Sequence, residues 1–345
     1  MAAPMTRYVL IRLGLMVPTL VVVLALTVAI LHVAPGGPAS AAMARAAAAA
    51  AQHGQVLTQA DIAAIRASYR VRWGAAAFMR AMLRYATFHL GHSAVTGQSV
   101  AGLIVQRLPV SMGLGVGSTL LVYGLAVPLG IAQAMRAGSR FDRGVTLAML
   151  SGAALPGFLV AVLLVVGFGA GGVLPLFPLR GLMSGSLASG GFGAAPLGVR
   201  LLNGAWHLVL PIIAVSAGGI AGLALLVRHA TLEALGSTYM MAMRARGASE
   251  RQIALRYAGR RAMLVVVAGL PQSFVAMLFT AALLVEIVFS LPGLGLLGYH
   301  AALDRDFPVL LGSLYIYTLT GLLAHLAGDL LARAVDPRID FTPLR

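Results

Sequence analysis

The chain's 345 residues are 59% hydrophobic and only 10% charged, with a mean hydropathy of +0.91, which leaves too little polar surface to cover a soluble globule. All 25 basic residues are arginine, against ten acids, for a formal charge of +15. They flank apolar runs instead of alternating with aromatics along a stripe, which points to membrane topology and excludes nucleic-acid binding. The absence of cysteine removes disulfides, thiol catalysis and Cys-ligated metals.

The apolar residues fall in runs of about 20 or more, long enough to cross a bilayer as helices, so a transmembrane β-barrel is excluded. The first run, Tyr8 to Val33, has no small-residue cleavage site and reads as a span, not a removable signal. Pro35-Gly36-Gly37-Pro38 stops it, and an alanine-rich tract from Ala41 to Ala51, helix or linker, follows. Thr58-Gln59-Ala60-Asp61 resembles a capping box and predicts a short helix with Ile62, Ile65 and Tyr69 on one face. A second amphipathic helix is predicted over Ala75 to Leu90, with Phe78, Met82 and Tyr85 opposite Arg80 and Arg84, packing on the membrane surface or the spans.

The remaining spans are predicted at 112–135, 144–177, 207–228, 262–289 and 309–333, giving an all-α polytopic membrane protein with about six helices and both termini on one side. Arg7, Arg12, the trio Arg136, Arg140 and Arg143, and seven arginines from Arg228 to Arg261 place the termini and those loops in the cytoplasm. The loop 35–111 also holds seven arginines, Arg45 to Arg107, but loops longer than about 60 residues translocate regardless of charge, so it is assigned to the periplasm. Residues 1–111 then form a first span plus periplasmic segment, and 112–345 a five-span core with a long cytoplasmic loop at about 229–261.

That loop is the most informative segment. Tyr239 to Arg246 consists mostly of good helix formers, and Gly247 follows where a helix C-terminus favours positive φ. Ser249-Glu250-Arg251-Gln252 then satisfies the S-x-x-Q capping box of a second helix. Helix, glycine turn and capped helix predict an elbow projecting from the bilayer. Helix connections are ordinarily about 2–8 residues, so this longer one implies a docking partner.

Tyr239 to Arg256 resembles the conserved loop of binding-protein-dependent ABC importer permeases, with Ala245 and Gly247 at its Ala and Gly positions; Met241-Ala242-Met243 stands where the family has Glu-Ala-Ala. Arg-Ala-Arg-Gly-Ala-Ser-Glu-Arg, starting at Arg244, looks like the peptide and nickel branch. Further matches run along the chain: Ala34 to Pro38, Arg107-Leu108-Pro109, Phe141-Asp142, Leu155-Pro156-Gly157-Phe158, Glu286 to Gly295, Arg305-Asp306-Phe307-Pro308 and Asp336 to Phe341. In this order they resemble the first permease of oligopeptide systems, particularly the microcin C type. Two departures stand out: Phe88-His89-Leu90-Gly91-His92-Ser93 lacks the acids of the family's corresponding stretch, and Val265 replaces a frequent proline, as in microcin-type relatives.

The resemblance implies the ABC importer permease fold, an inner-membrane location, a sister permease, two ATP-binding subunits or one fused ATPase, and an extracytoplasmic solute-binding protein. It makes the chain a transport subunit without catalytic, cofactor or metal residues of its own, ATP and Mg being held by the partner ATPase. Met241, Ala242, Arg244, Ala245, Arg246, Gly247, Ser249, Glu250 and Arg251 are the expected ATPase-coupling residues, Ala245 and Gly247 through close approach and the charged ones through polar contacts.

Other candidate chemistry is weaker. Glu286 lies inside an apolar run near a span's end and is expected to cap a turn or pair with arginine and not to relay protons. Asp329 is expected to pair with Arg333 four residues on. His207 and His325 lack the neighbours of a metal site. Gly113, Gly115 and Gly117 have neither the preceding strand nor the later acid of a nucleotide fingerprint and predict close helix packing. No Walker loop is present, so the chain does not hydrolyse ATP unaided. The rival reading is a proton-coupled secondary transporter, which would need a buried ionisable relay and two related halves.

Overall fold

The computed structural model describes residues 2–33, 38–52, 54–56, 58–68, 83–85, 87–184, 196–277 and 282–335. The helices are α1 (Ala2–Val33), α2 (Pro38–Gln52), α3 (Gln59–Ser68), α4 (Val100–Met135), α5 (Arg140–Ala154), α6 (Gly157–Phe168) and α7 (Leu197–Leu235). After these come α8 (Thr238–Ala245), α9 (Glu250–Gln252) continued by a π-helical turn Ile253–Ala258, α10 (Gly259–Val275), α11 (Ala282–Phe289), α12 (Leu294–Leu303) and α13 (Phe307–Val335). Among the described residues, β-pairing is confined to the isolated bridges His92–Ser99 and Gly169–Phe177.

Four helices, within α1, α4, α7 and α13, are long and apolar enough to cross a membrane, and two bent pairs raise the number to as many as six. The sequence-based boundaries shift in several places. α4 begins at Val100 instead of 112, because Ser99 caps it through its hydroxyl and carbonyl (Gly102 N and Leu103 N, 3.1 and 3.0 Å) and Pro109 is tolerated inside it. α7 likewise extends well beyond 207–228 at both ends.

The continuous span expected at 144–177 is instead broken. Leu155, ahead of Pro156, is forced into extended backbone (φ −86°, ψ 121°), and α5 and α6 meet at 101°. The helix also stops at Phe168, and the following turn folds back on it through Val173 N to Val166 O and Phe177 N to Phe168 O, 3.0 Å each. The segment after Phe289 carries a ten-residue helix, α12, at 87° to α11.

The chain divides into two compact units. The first comprises 1–5, 108–296 and 321–345. In it α4 and α7 pack closely. A methyl added to Gly117 would meet the Ile212 side chain, one on Gly219 would lie 3.0 Å from Val122, and one on Gly130 would stand 2.6 Å from the Ala224 carbonyl oxygen. Partner numbers rise together, so the helices run parallel and finish at the same end. Gly113, against Leu208 at 3.2 Å, and Gly117 are thus packing glycines. Val110, Leu114, Val122, Leu210, Val285 and Phe289 are buried in the main apolar cluster of this unit.

The second unit comprises 6–107 and 297–320. The Thr58–Asp61 capping box forms, with Asp61 Oδ2 accepting from Thr58 N and Oγ1 at 3.0 and 2.6 Å and Asp61 N donating to Thr58 Oγ1 at 3.2 Å. The alanine tract is helical as α2. Most of the amphipathic helix expected over 75–90 lies outside the described residues, as do Ala34 to Gly37 and Asp336 to Phe341. It does not reach Leu90: Phe88 turns into the left-handed region (φ 57°), and Tyr85 and Phe88 pack on Tyr315 with ring centroids 5.5 and 6.0 Å away. Asp306 joins the motif segments of this unit, accepting from the Ser93 hydroxyl and from Ala94 N at 3.0 Å. Gly312 admits Leu90 and Val100 against α13.

Candidate functional site

The elbow at the shared end of α4 and α7 is built by local rules. α8 ends at Ala245, with Arg246 as its C-cap, and Gly247 follows at φ +82°. Gly247 N donates to Arg244 O at 2.9 Å and Ala248 N to Met243 O at 3.2 Å, the paired bonds of a Schellman motif. Ser249 then caps the next helix reciprocally: Gln252 N donates to Ser249 Oγ at 3.3 Å and Ser249 N to Gln252 Oε1 at 3.2 Å. The turn from α8 into α9 therefore satisfies its own backbone without help from the rest of the bundle.

Beneath it lies a small separate core of Ala234, Met240, Ile253 and Ala258, with Met243, Ala248 and Tyr257 packed around it. Burying Met240 on one side of α8 leaves Tyr239 and Met241 55% and 57% exposed, together with Ala242 and Ala245. Leu255, on the π-helical turn, is likewise 52% exposed. A methyl added to Gly247 would meet nothing within 4 Å, so the space over the turn is open. The result is an exposed apolar surface on a fixed frame.

The charged residues divide. Arg244 and Glu250 engage each other across the turn, Nε to Oε1 at 2.7 Å and Nη2 to Oε2 at 3.1 Å, which holds the Glu250 carboxyl below its ordinary range and Arg244 above its own. Arg246 and Arg251 are exposed.

Asp142, of the Phe141-Asp142 motif, has a partner that the motif does not contain. Arg228, near the end of α7, donates Nε to Asp142 Oδ1 at 2.7 Å and Nη2 to Oδ2 at 2.8 Å. Oδ2 also accepts from Gly138 N at 3.0 Å, and Ser139 Oγ caps α5 through Asp142 N at 3.1 Å. Asp142, only 3% exposed, thus ties the turn between α4 and α5 to α7 about two helical turns before that helix ends. The signal in the sequence was an acid in a short arginine-rich turn; its partner, 86 residues on, carried none.

Residues 126–341 match the family model described as the binding-protein-dependent transport system inner membrane component. The chain belongs to that family. This permease is 38% identical to an inner membrane ABC transporter permease protein, YejB, of Escherichia coli O157:H7, with 98% of this chain and 99% of that one covered. It is 34% identical to a protein of Agrobacterium fabrum named peptidoglycan transport system permease protein YejB, again with 98% and 99% covered. The fold is also that of the MetNI methionine ABC transporter in its inward-facing form, with a TM-score of 0.53 over 68% of this chain and 97% of that one at 19% identity. The permease is therefore a multi-pass protein of the inner membrane.

Glu286 takes a structural place in the permease. It is fully buried and accepts from Ser111 Oγ and from Leu296 N, 2.8 Å each, while Ser111 Oγ accepts from Leu294 N at 2.7 Å. The carboxylate thus caps the N-terminus of α12 and sets the 87° bend, with the approach left open by Gly293 and Gly295. His207 and His325 each contact the carbonyl four residues earlier at 2.8 Å.

Proposed function

We propose that the chain is one half of the translocation pathway of an ATP-driven importer for peptides or peptide-like solutes. In this reading the elbow at 229–261 faces the cytoplasm and docks on a separate ATP-binding subunit. A sister permease completes the pathway, an extracytoplasmic solute-binding protein delivers the cargo, and both termini lie in the cytoplasm. ATP and Mg reside on the two ATP-binding subunits or one fused ATPase.

The observation that carries the reading is the elbow's construction: a self-capped frame with its own core that leaves Tyr239, Met241, Ala242 and Ala245 uncovered. An apolar surface at the end of a membrane bundle, rimmed by Arg246 and Arg251, suits a protein partner. The peptide assignment draws on the motif series and on the Agrobacterium relative, whose named cargo, peptidoglycan, contains peptide; microcin-like peptides and nickel chelates belong to the same branch. Glu286 is engaged as a helix cap, which favours the importer over proton-coupled secondary transport.

The test is affinity purification of the complex from gently solubilised membranes, with and without Gly247→Pro, and identification of what accompanies the chain. Proline excludes positive φ and removes the Gly247 N–H bond to Arg244. The sister permease and ATP-binding subunits should accompany the native chain, and the ATP-binding subunits alone should be lost from the variant. A native chain recovered without any ATP-binding subunit would overturn the reading.

A further inference from the structure

α5 presents two sides. Asp142, Val145, Thr146 and Met149 are buried or half-buried, and the helix packs on α7. The other side follows the helical spacing Arg140, Arg143, Leu147, Leu150, Ala154, and every one of these residues is exposed, Leu147 at 67% and Leu150 at 53%. Charge occupies the first turn of this face and apolar side chains the rest. Arg136, from the preceding turn, lays its guanidinium over the Phe141 ring at 5.0 Å, adding a third cation beside Arg140 and Arg143.

The three charges are not neutralised locally. The acid in this segment, Asp142, is buried and engaged with Arg228 by two hydrogen bonds. Among the described residues the side chains of Arg140 and Arg143 make no hydrogen bond or ion pair, and the guanidinium of Arg136 contacts the Phe141 ring. A collar of uncompensated arginines directly above an exposed leucine face matches a lipid: acyl chains along Leu147 and Leu150, an anionic headgroup at the level where the arginines stand. A soluble protein surface would complement the charges but would leave the leucines below them uncovered.

We propose that Arg136, Arg140 and Arg143 form a binding site for the headgroup of an anionic phospholipid at the end of α5. The site is separate from the elbow and needs only that the chain is embedded in a membrane. Occupancy places negative charge beside the α4–α5 turn that Asp142 and Arg228 fasten to α7.

The probe is phosphatidylglycerol, titrated in phosphatidylcholine mixed micelles against the purified full complex, with bound lipid counted by native mass spectrometry. Each surface arginine should contribute about fivefold to retention. Replacing all three by glutamine should weaken it on the order of 100-fold, whereas replacing all three by lysine should keep most of it. Excess inorganic phosphate should not displace the lipid. If the triple-glutamine form fails to fold, the single Arg140→Gln and Arg143→Gln variants, each expected to lose about fivefold, decide the matter. The proposal is overturned if phosphatidylglycerol binds the glutamine variants as tightly as the native chain. It is overturned equally if inorganic phosphate empties the site, or if the variants lose ATP-binding subunits with lipid retention unchanged, since the patch would then take free phosphate or a protein.

Discussion

The elbow and the Glu286 node are held together in opposite ways. The elbow's hydrogen bonds join residues at most nine apart, and its strongest pair, Arg244–Glu250, stands in solvent. The Glu286 node joins Ser111 to Glu286, 175 residues apart, with the carboxylate wholly enclosed. A module closed by local contacts can lose its outer surface and still fold. A node that bridges distant helices cannot lose a member without leaving buried polar groups unmatched. With the proposed docking role, damage to the elbow should appear in partner binding and damage to the node in stability.

The largest effect is expected at the node. Glu286→Ala removes the acceptor of the Ser111 hydroxyl and the Leu296 N–H, and buried groups left without partners cost about 1–3 kcal/mol each. Thermal unfolding of the purified chain should fall accordingly. Arg228→Ala should come next. It strips two hydrogen bonds from the buried Asp142, at a cost of about 2 kcal/mol or more, read in the same melts.

Gly247 offers a finer division. Gly247→Ala strains a left-handed residue by about 1 kcal/mol, whereas Gly247→Asn tolerates that conformation and adds a side chain to open space. The asparagine variant should melt closer to the native chain than the alanine variant does, yet bind ATP-binding subunits less well. Equal binding by the asparagine variant would separate the glycine's role in the turn from any role in docking.

The smallest effect is pH-dependent. Arg244 holds the folded Glu250 below its ordinary value of 4.5, so the pair's contribution is fully present above that value and is lost as pH falls through the lowered one. The melting temperatures of native and Glu250→Gln chains should differ by the same small amount at every pH from neutral to about 5.

The same contrast explains what was legible in the sequence. Gly247 and the Ser249–Gln252 box obey rules that act within one helical turn, so the elbow could be drawn residue by residue. Gly113 and Gly117 could be read as packing glycines, because the features of a nucleotide loop were missing around them, but not that Leu208 and Ile212 would fill the space. The break at Pro156 was hidden inside an apolar stretch that hydropathy reads as continuous. The Arg228–Asp142 bond was hidden because an arginine near a span's end looks like a topology marker. Arg244 and Glu250, expected to face a partner, lie close enough across a tight turn to satisfy each other.

The most direct test of the proposed coupling surface uses the chain's lack of cysteine. Ala245→Cys on the exposed side of α8 and Leu147→Cys on the outer face of α5 each introduce a single thiol, which a short thiol-to-amine crosslinker can join to neighbours within the intact complex. The account predicts an adduct with an ATP-binding subunit from Ala245→Cys and none from Leu147→Cys. An intact complex in which Ala245→Cys gives no such adduct, or Leu147→Cys gives it instead, would contradict the elbow as the coupling surface.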